Sequence, residues 1–588
     1  MASFPSLQKV WLATSTTVLR FPLEFVVTLL GTLFALLMVK NNYATAEEAQ
    51  MIKTIMSCSL CLVWFLSCTL FFNTSNKSIV FRVLSSCLGG FLLFLFVFSL
   101  EIPTASIDFL QFFVLSIALH LLVSFAAFLA KQYCEEEFWE FNKQLFLRII
   151  TAGLYSGFLF AGLALAIVAI KELFGFELDE KIFGYLFVVI AGPFNTLFFL
   201  SGVPVIQSVN TTLTLSYPIG LKKFTQYVLL PLISLYLVIL LCYETKILIT
   251  LSLPIGWVSY LVLVFAIIGI LSFLLVHPIA SSASNLWMQT FNRWFYYLLI
   301  PLLGLLFWAI GYRIYSYGFT HERYYVLLLS IWLAVVVGYF LVNNTPKIKF
   351  IPISMCLAAL FSIAGPQSAD SISKRSQLLR FEYYMQQLDT KKLSFEAEKD
   401  LSSIVYFLQD NYTAKVLQPY SKGKLTALLA QEEKPSVSKI MEALGLTYRS
   451  RYDLETSNPT VFNYTFYDNA AHLIENIRGY DLLFSVSNYN EVNCTNCITL
   501  NGIPYNVQSS KKPYGLDLQV NQDTMPLRLF EFINGHAGFH NANSKKITQR
   551  VEHTKYTLLI TYLEAAGTIK NGKKTTESYN IKVLLKIK

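Results

Sequence analysis

The sequence predicts an α-helical polytopic membrane bundle of about eleven transmembrane helices, followed by a C-terminal soluble α+β domain rich in antiparallel strands. Charge distribution is the first reason. The 365 residues up to Gly365 hold 19 of the 46 Lys and Arg, while the remaining 223 hold the other 27. Composition is the second: 54% hydrophobic residues and a mean hydropathy of +0.50 exceed what a water-soluble chain carries. The third is the run length, since the apolar stretches match a bilayer crossed at 1.5 Å per residue.

Taken in order, the runs are Phe21–Val39, Thr54–Phe72, Val83–Leu100, Phe109–Ala130, Ile149–Ile170, Ile182–Leu200, Tyr227–Tyr243, Trp257–Val276, Phe295–Ile310, Tyr324–Val342 and Phe350–Ala364. The first is flanked by Arg20 and Lys40 with no small-residue cleavage site after it, so it reads as a retained helix rather than a signal peptide. The last is the shortest. Six cysteines, at 58, 61, 68, 87, 242 and 356, fall in these runs and read as packing residues. No repeat of fixed period is visible, which excludes a solenoid. With the N-terminus cytoplasmic, inner segments hold 12 basic residues against 7 outside. Eleven crossings then place residues after 365 outside the cytoplasm, although Lys374 and Arg375 oppose this.

His120, near the middle of its run, is the ionisable residue singled out within the membrane, either a binding group or a neutral side chain satisfied by a neighbour. This reading takes the spans to hold no acidic partner for it, which argues against a proton-coupled pump. Ala191-Gly192-Pro193-Phe194-Asn195 interrupts the sixth run, as a kink or as a broken helix with Asn195 at a midplane site. Pro231 and Pro301 sit in runs with nothing polar beside them, which favours the kink.

From Tyr227 onward several segments are distinctive. Tyr227-Val-Leu-Leu-Pro231, Leu253-Pro-Ile-Gly256-Trp257 and Tyr296-Tyr-Leu-Leu-Ile-Pro301 precede Arg313-Ile-Tyr-Ser-Tyr317-Gly318-Phe-Thr320-His-Glu322-Arg323-Tyr324-Tyr325. Gly365-Pro366 then leads to Ser371-Ile-Ser-Lys-Arg-Ser376-Gln377-Leu-Leu-Arg380. Together these resemble a family of bacterial multi-pass membrane proteins known only as a domain of unknown function. The resemblance runs from about Phe21 to Asp410. It implies a bacterial envelope protein and carries over no catalytic residue; the expected location is the inner membrane. One departure is Gln-Ser-Ala after Gly365-Pro366, where the family leads one to expect Trp.

The Arg313–Tyr325 segment packs two Arg, one Glu, one His and several Tyr between apolar runs. Such a loop anchors helix ends in the headgroup layer, with Arg and Tyr straddling the interface. Its sharper reading is an anionic-ligand clamp formed by Arg313, Tyr317 and Arg323.

The chain divides into a membrane part (1–365), a helical linker (366–450) and a mainly β domain (451–588). In the linker, Leu378, Phe381, Met385 and Leu388 fall at helical spacing, and Pro435-Ser436 opens a helix stopped by Gly445. Further on, Phe462, Tyr464 and Phe466 alternate. So do Tyr556, Leu558, Ile560 and Tyr562 against Tyr579, Ile581, Val583 and Leu585, around Asn571-Gly572, as in a closing hairpin.

Cys494-Thr-Asn-Cys497 admits three readings: an inert pair, a local disulfide, or half of a zinc site completed by His536 and His540. With no phosphate loop, nucleophile elbow or zinc-protease run, no cofactor is implied. The C-terminal part carries 27 basic and 22 acidic residues without a basic stripe, which excludes nucleic acid. Membrane lipids are the expected partners, with an envelope protein as a further one. The favoured function is a non-enzymatic envelope sensor or scaffold. The alternative is a transporter or lipid-handling protein with its site among the helices.

Overall fold

The computed structural model describes residues 7–588 except 42–44, 76, 102–105, 132, 177, 207–216, 251–256, 281–285, 344, 389, 391, 433, 451–452, 454–460, 468–476, 488–490, 501, 532–548 and 571–572. The chain forms two compact units, Met1–Ser450 and Arg451–Lys588.

Every one of the eleven apolar runs is helical. They become α2 (Pro22–Lys40), α3 (Thr45–Thr74), α4 (Ile79–Ser99), α5 (Ser106–Ala130) and α6 (Glu135–Phe174). Next come α7 (Lys181–Val189) with α8 (Asn195–Ser201), and α9 (Ile219–Phe224) with α10 (Leu230–Thr250). Then follow α11 (Trp257–Ala280), α12 (Leu286–Tyr317), α13 (His321–Val342) and α14 (Phe350–Ile363). Among the described residues nine helices are long and apolar enough to cross a membrane, and Leu261–Leu275 and Phe350–Ile363 are shorter apolar helices. The chain is a multi-pass membrane protein. Its outer surface suits only lipid: on α6, Phe158, Leu165 and Leu173 are 74%, 70% and 79% exposed. A further helix, α1 (Leu7–Arg20), precedes the first span.

Pro193 does not end its helix. It lies in a five-residue π-turn, Ile190–Phe194, that joins α7 to α8, and a second π-turn, Thr225–Leu229, joins α9 to α10. The wider turn accommodates a ring that would otherwise strike the preceding carbonyls, so the helix carries on.

Polar contacts sort the helix ends into two groups. At one end Arg20 donates to Val203 O and Pro204 O (2.7 and 2.9 Å), His277 meets Glu135 (2.6 Å), and Lys349 lies over the Tyr133 ring. At the other, Lys181 donates to Lys40 O (3.0 Å) and Tyr324 to Gln367 O (2.7 Å). The 14-residue α14 therefore runs between the two ends alongside α13, with Trp332 donating to Ser354 partway along (3.0 Å).

The same unit continues into α15 (Ala369–Leu388), α16 (Phe395–Tyr412), a 3-10 segment (Ala414–Tyr420), α17 (Thr426–Gln431) and α18 (Val437–Ala443). These helices close over their own core of Phe381, Met385, Leu401, Ile404, Leu408 and Met441. Ser394 and Ser436 cap α16 and α18 by accepting from Ala397 N and Lys439 N (3.3 and 3.4 Å). Gly445 supplies the positive φ (79°) that ends the last helix.

The second unit is a β-sandwich. Its strands are β1 (Val461–Tyr467), β2 (Leu482–Ser487), β3 (Asn493–Leu500), β4 (Ile503–Lys512), β5 (Gly515–Val520), β6 (Asp523–Leu527), β7 (Gln549–Glu552), β8 (Tyr556–Lys570) and β9 (Lys573–Ile587). One sheet runs β1-β8-β9-β2, with β7 also on β8; the other runs β3-β4-β5-β6, all antiparallel. Leu516, Leu518 and Leu527 from one sheet share a core with Leu558, Ile560, Ile581 and Val583 from the other. The β8–β9 hairpin forms as the alternation predicts, its Asn571-Gly572 turn lying outside the described residues. Its register shifts between Ile560 and Tyr562, so beyond that point Leu563 rather than Tyr562 enters the core.

Candidate functional site

Two of the distinctive segments of the first unit meet each other. Helix α12 ends at Tyr317, and Gly318 turns the chain with φ 70°. Arg323, at the start of α13, reaches back to donate to Tyr317 O (3.0 Å) and Gly318 O (2.9 Å), its guanidinium 5.4 Å from the Tyr317 ring. From α15, Ser376 Oγ accepts from Phe319 N (2.9 Å), and Gln377 Nε2 donates to Tyr317 O (3.1 Å) and Phe319 O (2.7 Å). Arg380 donates to Ser316 O (2.7 Å) and pairs with Asp400 of α16, whose Oδ2 also accepts from Tyr384 (2.6 Å). Carbonyls that the end of a helix leaves without partners are thus satisfied by three side chains from outside it.

A second set of bonds flanks the first. The Tyr412 hydroxyl donates to Asp370 O (3.1 Å), so its contact with His321 Nε2 (2.7 Å) uses the histidine as donor. Burial and the Asp370 carboxylate hold this hydroxyl far above the ordinary tyrosine range. At Tyr384 burial and Asp400 act in the same direction.

The Arg313–Tyr325 segment is thus hydrogen-bonded to α15 through Ser316, Tyr317 and Phe319. Tyr317 and Arg323 are committed to the junction. Arg313 has no hydrogen bond or ion pair among the described residues, and Arg323 stands within repulsive range of it. Gln367, at the position where Trp was expected, donates to Phe361 O and Ala364 O (3.1 and 2.7 Å) and caps α14.

The other candidates are scattered. His120 is exposed on α5 and bonds within its own helix to Ser116 O (2.7 Å). Asn195 accepts from Ser156 Oγ (3.2 Å) just past the first π-turn. Cys494 lies at a bulge of edge strand β3 and is disulfide-bonded, while seven other cysteines are free. The Cys497 side chain, His536 and His540 lie outside the described residues. Among the described residues no group of three His, Cys, Asp or Glu could hold a metal ion.

Two ionisable features escaped the sequence reading. The first contradicts it: Glu24 lies inside the first span and is fully buried, so the spans do hold an acid. The second is a charged network at the start of α6. There Glu137 pairs with Lys131 (2.8 Å), Glu140 with Lys143 (2.7 Å) and Gln144 (2.8 Å), and Glu135 with His277. The acidic run Glu135-Glu136-Glu137 opening a 40-residue helix was the available signal, since carboxylates favour a helix N-terminus.

Comparison with known proteins adds relationship but no activity. The uncharacterised protein PM1469 of Pasteurella multocida (strain Pm70) is 25% identical over 201 residues, which is 34% of this chain and 32% of that protein. The chain thus matches about a third of the length of that relative. No solved structure matches. The profile of a domain of unknown function, DUF4153, matches residues 60–395, more than half of the chain and inclusive of both segments of the junction. By that match the chain belongs to the DUF4153 family, a domain of unknown function.

Proposed function

We propose that the chain is a non-enzymatic membrane sensor or scaffold, a helical body that carries its C-terminal β-sandwich as the binding module. One observation carries the reading. The family's two distinctive segments are spent on fastening α15 to the α12–α13 turn, through Ser376, Gln377, Arg380 and Arg323, and this is what a relay between a membrane body and a following domain requires. The chain truncated after Ser450 should insert and accumulate, yet fail to complement a deletion strain under envelope stress. Full complementation by the truncated chain would sink the reading and favour transport through the helices.

The same proposal places the protein in the bacterial inner membrane, N-terminus in the cytoplasm and residues after 365 outside it. The 12-to-7 loop charge excess supports this, as does a disulfide at Cys494, which needs an oxidising compartment. Alkaline phosphatase fused after Asp410 should be active. An inactive fusion, with a cytoplasmic reporter active at the same site, would reverse the assignment.

A further inference from the structure

Glu24 sits in the first turn of α2, with no exposed surface. Its Oε1 accepts one hydrogen bond, from Thr69 Oγ1 of α3 (2.5 Å). Its Oε2 is buried with no hydrogen-bond partner among the described residues. An ionised carboxylate accepts at both oxygens, and one left half-satisfied in an apolar interior is costly to keep charged.

Nearby, the buried Ser86 hydroxyl of α4 hydrogen-bonds the Cys68 thiol of α3, which lies within electrostatic range of Glu24. Three helices thus bring a carboxyl, a hydroxyl and a thiol together inside the bundle. Opposing neutrality are two cations, Arg82 of α4 and Arg20 of α1, both acting on Glu24 from a distance. The Arg20 guanidinium is already bonded to Val203 O and Pro204 O. Of the other elements against α2, α8 carries no titratable residue, and Lys181 and Tyr185 of α7 belong to the opposite, Lys40 end. Burial and a missing partner favour the acid; the two arginines and the helix N-terminus favour the carboxylate.

We propose that Glu24 is a proton-binding site of the membrane body, holding a proton as the neutral acid and releasing it under the field of Arg20 and Arg82. The ligand is the proton itself: an O–H bond forms on the carboxylate when it arrives from water and breaks when it returns. This site stands apart from the sensor reading and does not depend on it.

An apolar carbodiimide tests it, because such reagents modify carboxyl groups that are protonated within the membrane. The full chain in lipid nanodiscs would be treated across a pH series and the adduct located by mass spectrometry. Glu24 should carry the adduct, with a yield about tenfold lower at the alkaline end of the series than at the acid end. Glu24→Gln, nearly isosteric, should abolish that adduct. Arg82→Gln removes a cation that favours ionisation, so the fall in yield should move to higher pH. No adduct on Glu24 at any pH, or a yield that ignores pH in the unmodified protein, would overturn the proposal. The wild-type profile keeps this decisive even if the Arg82 variant fails to fold.

Discussion

Replacing Gly318 by valine should detach the α15 helix from the membrane body and destabilise the first unit by about 3–5 kcal/mol. Two costs combine. At φ 70° an L side chain is strained by about 1–2 kcal/mol, more with branching at Cβ. A Cβ there would also stand 2.7 Å from Arg380 Cδ, 2.9 Å from Ser376 Oγ and 3.1 Å from Gln377 Nε2, the atoms that fasten the junction. The backbone cannot relax toward solvent, because Tyr317, Gly318 and Phe319 are held through their carbonyls. Gly318→Ala should cost less, since the flexible Arg380 stem can shift where a second γ-branch would block it. Thermal melting of both variants in detergent is the measurement. A valine variant within about 0.5 kcal/mol of wild type would show that the junction is not a fastening.

That junction marks the limit of what the sequence discloses. The spans were legible because the bilayer dictates their length and forbids polar interruption, so even the 14-residue α14 declared itself. Helix α1 was not, because its 14 residues mix apolar and polar positions instead of forming an apolar run of span length. The Arg313–Tyr325 loop was legible as unusual but not as a joint. Arg and Tyr beside a span have the same composition whether they meet lipid or a helix some sixty residues further along. Glu24 was hidden for the opposite reason: one carboxyl in a 19-residue apolar helix barely lowers its hydropathy, and only packing reveals that it faces inward. In the sandwich, strict alternation misassigned Tyr562 because a bulge advances the register by one residue and is silent in the pattern.

The charged network at the start of α6 should show the largest difference between a single and a double substitution. Glu140 and Lys143 are paired at 2.7 Å with side chains 1% and 5% exposed, and the Trp139 ring lies 5.5 Å from the ammonium. Glu140→Leu strips the carboxylate from a buried ammonium and from the Gln144 amide that donates to it. The expected loss is about 3–5 kcal/mol, the range for breaking one side of a buried pair. Glu140→Leu combined with Lys143→Met removes both charges and fills similar volume, so its stability should return to within about 1 kcal/mol of wild type. Melting and expression level across the four members of the cycle give the coupling directly. A single variant costing under about 1 kcal/mol would mean that water reaches the pair and screens it. A double variant as unstable as the single would mean that one of the two charges serves a third group. Glu137, one turn earlier on the same helix and paired with Lys131 from the segment before it, would then be the first place to look.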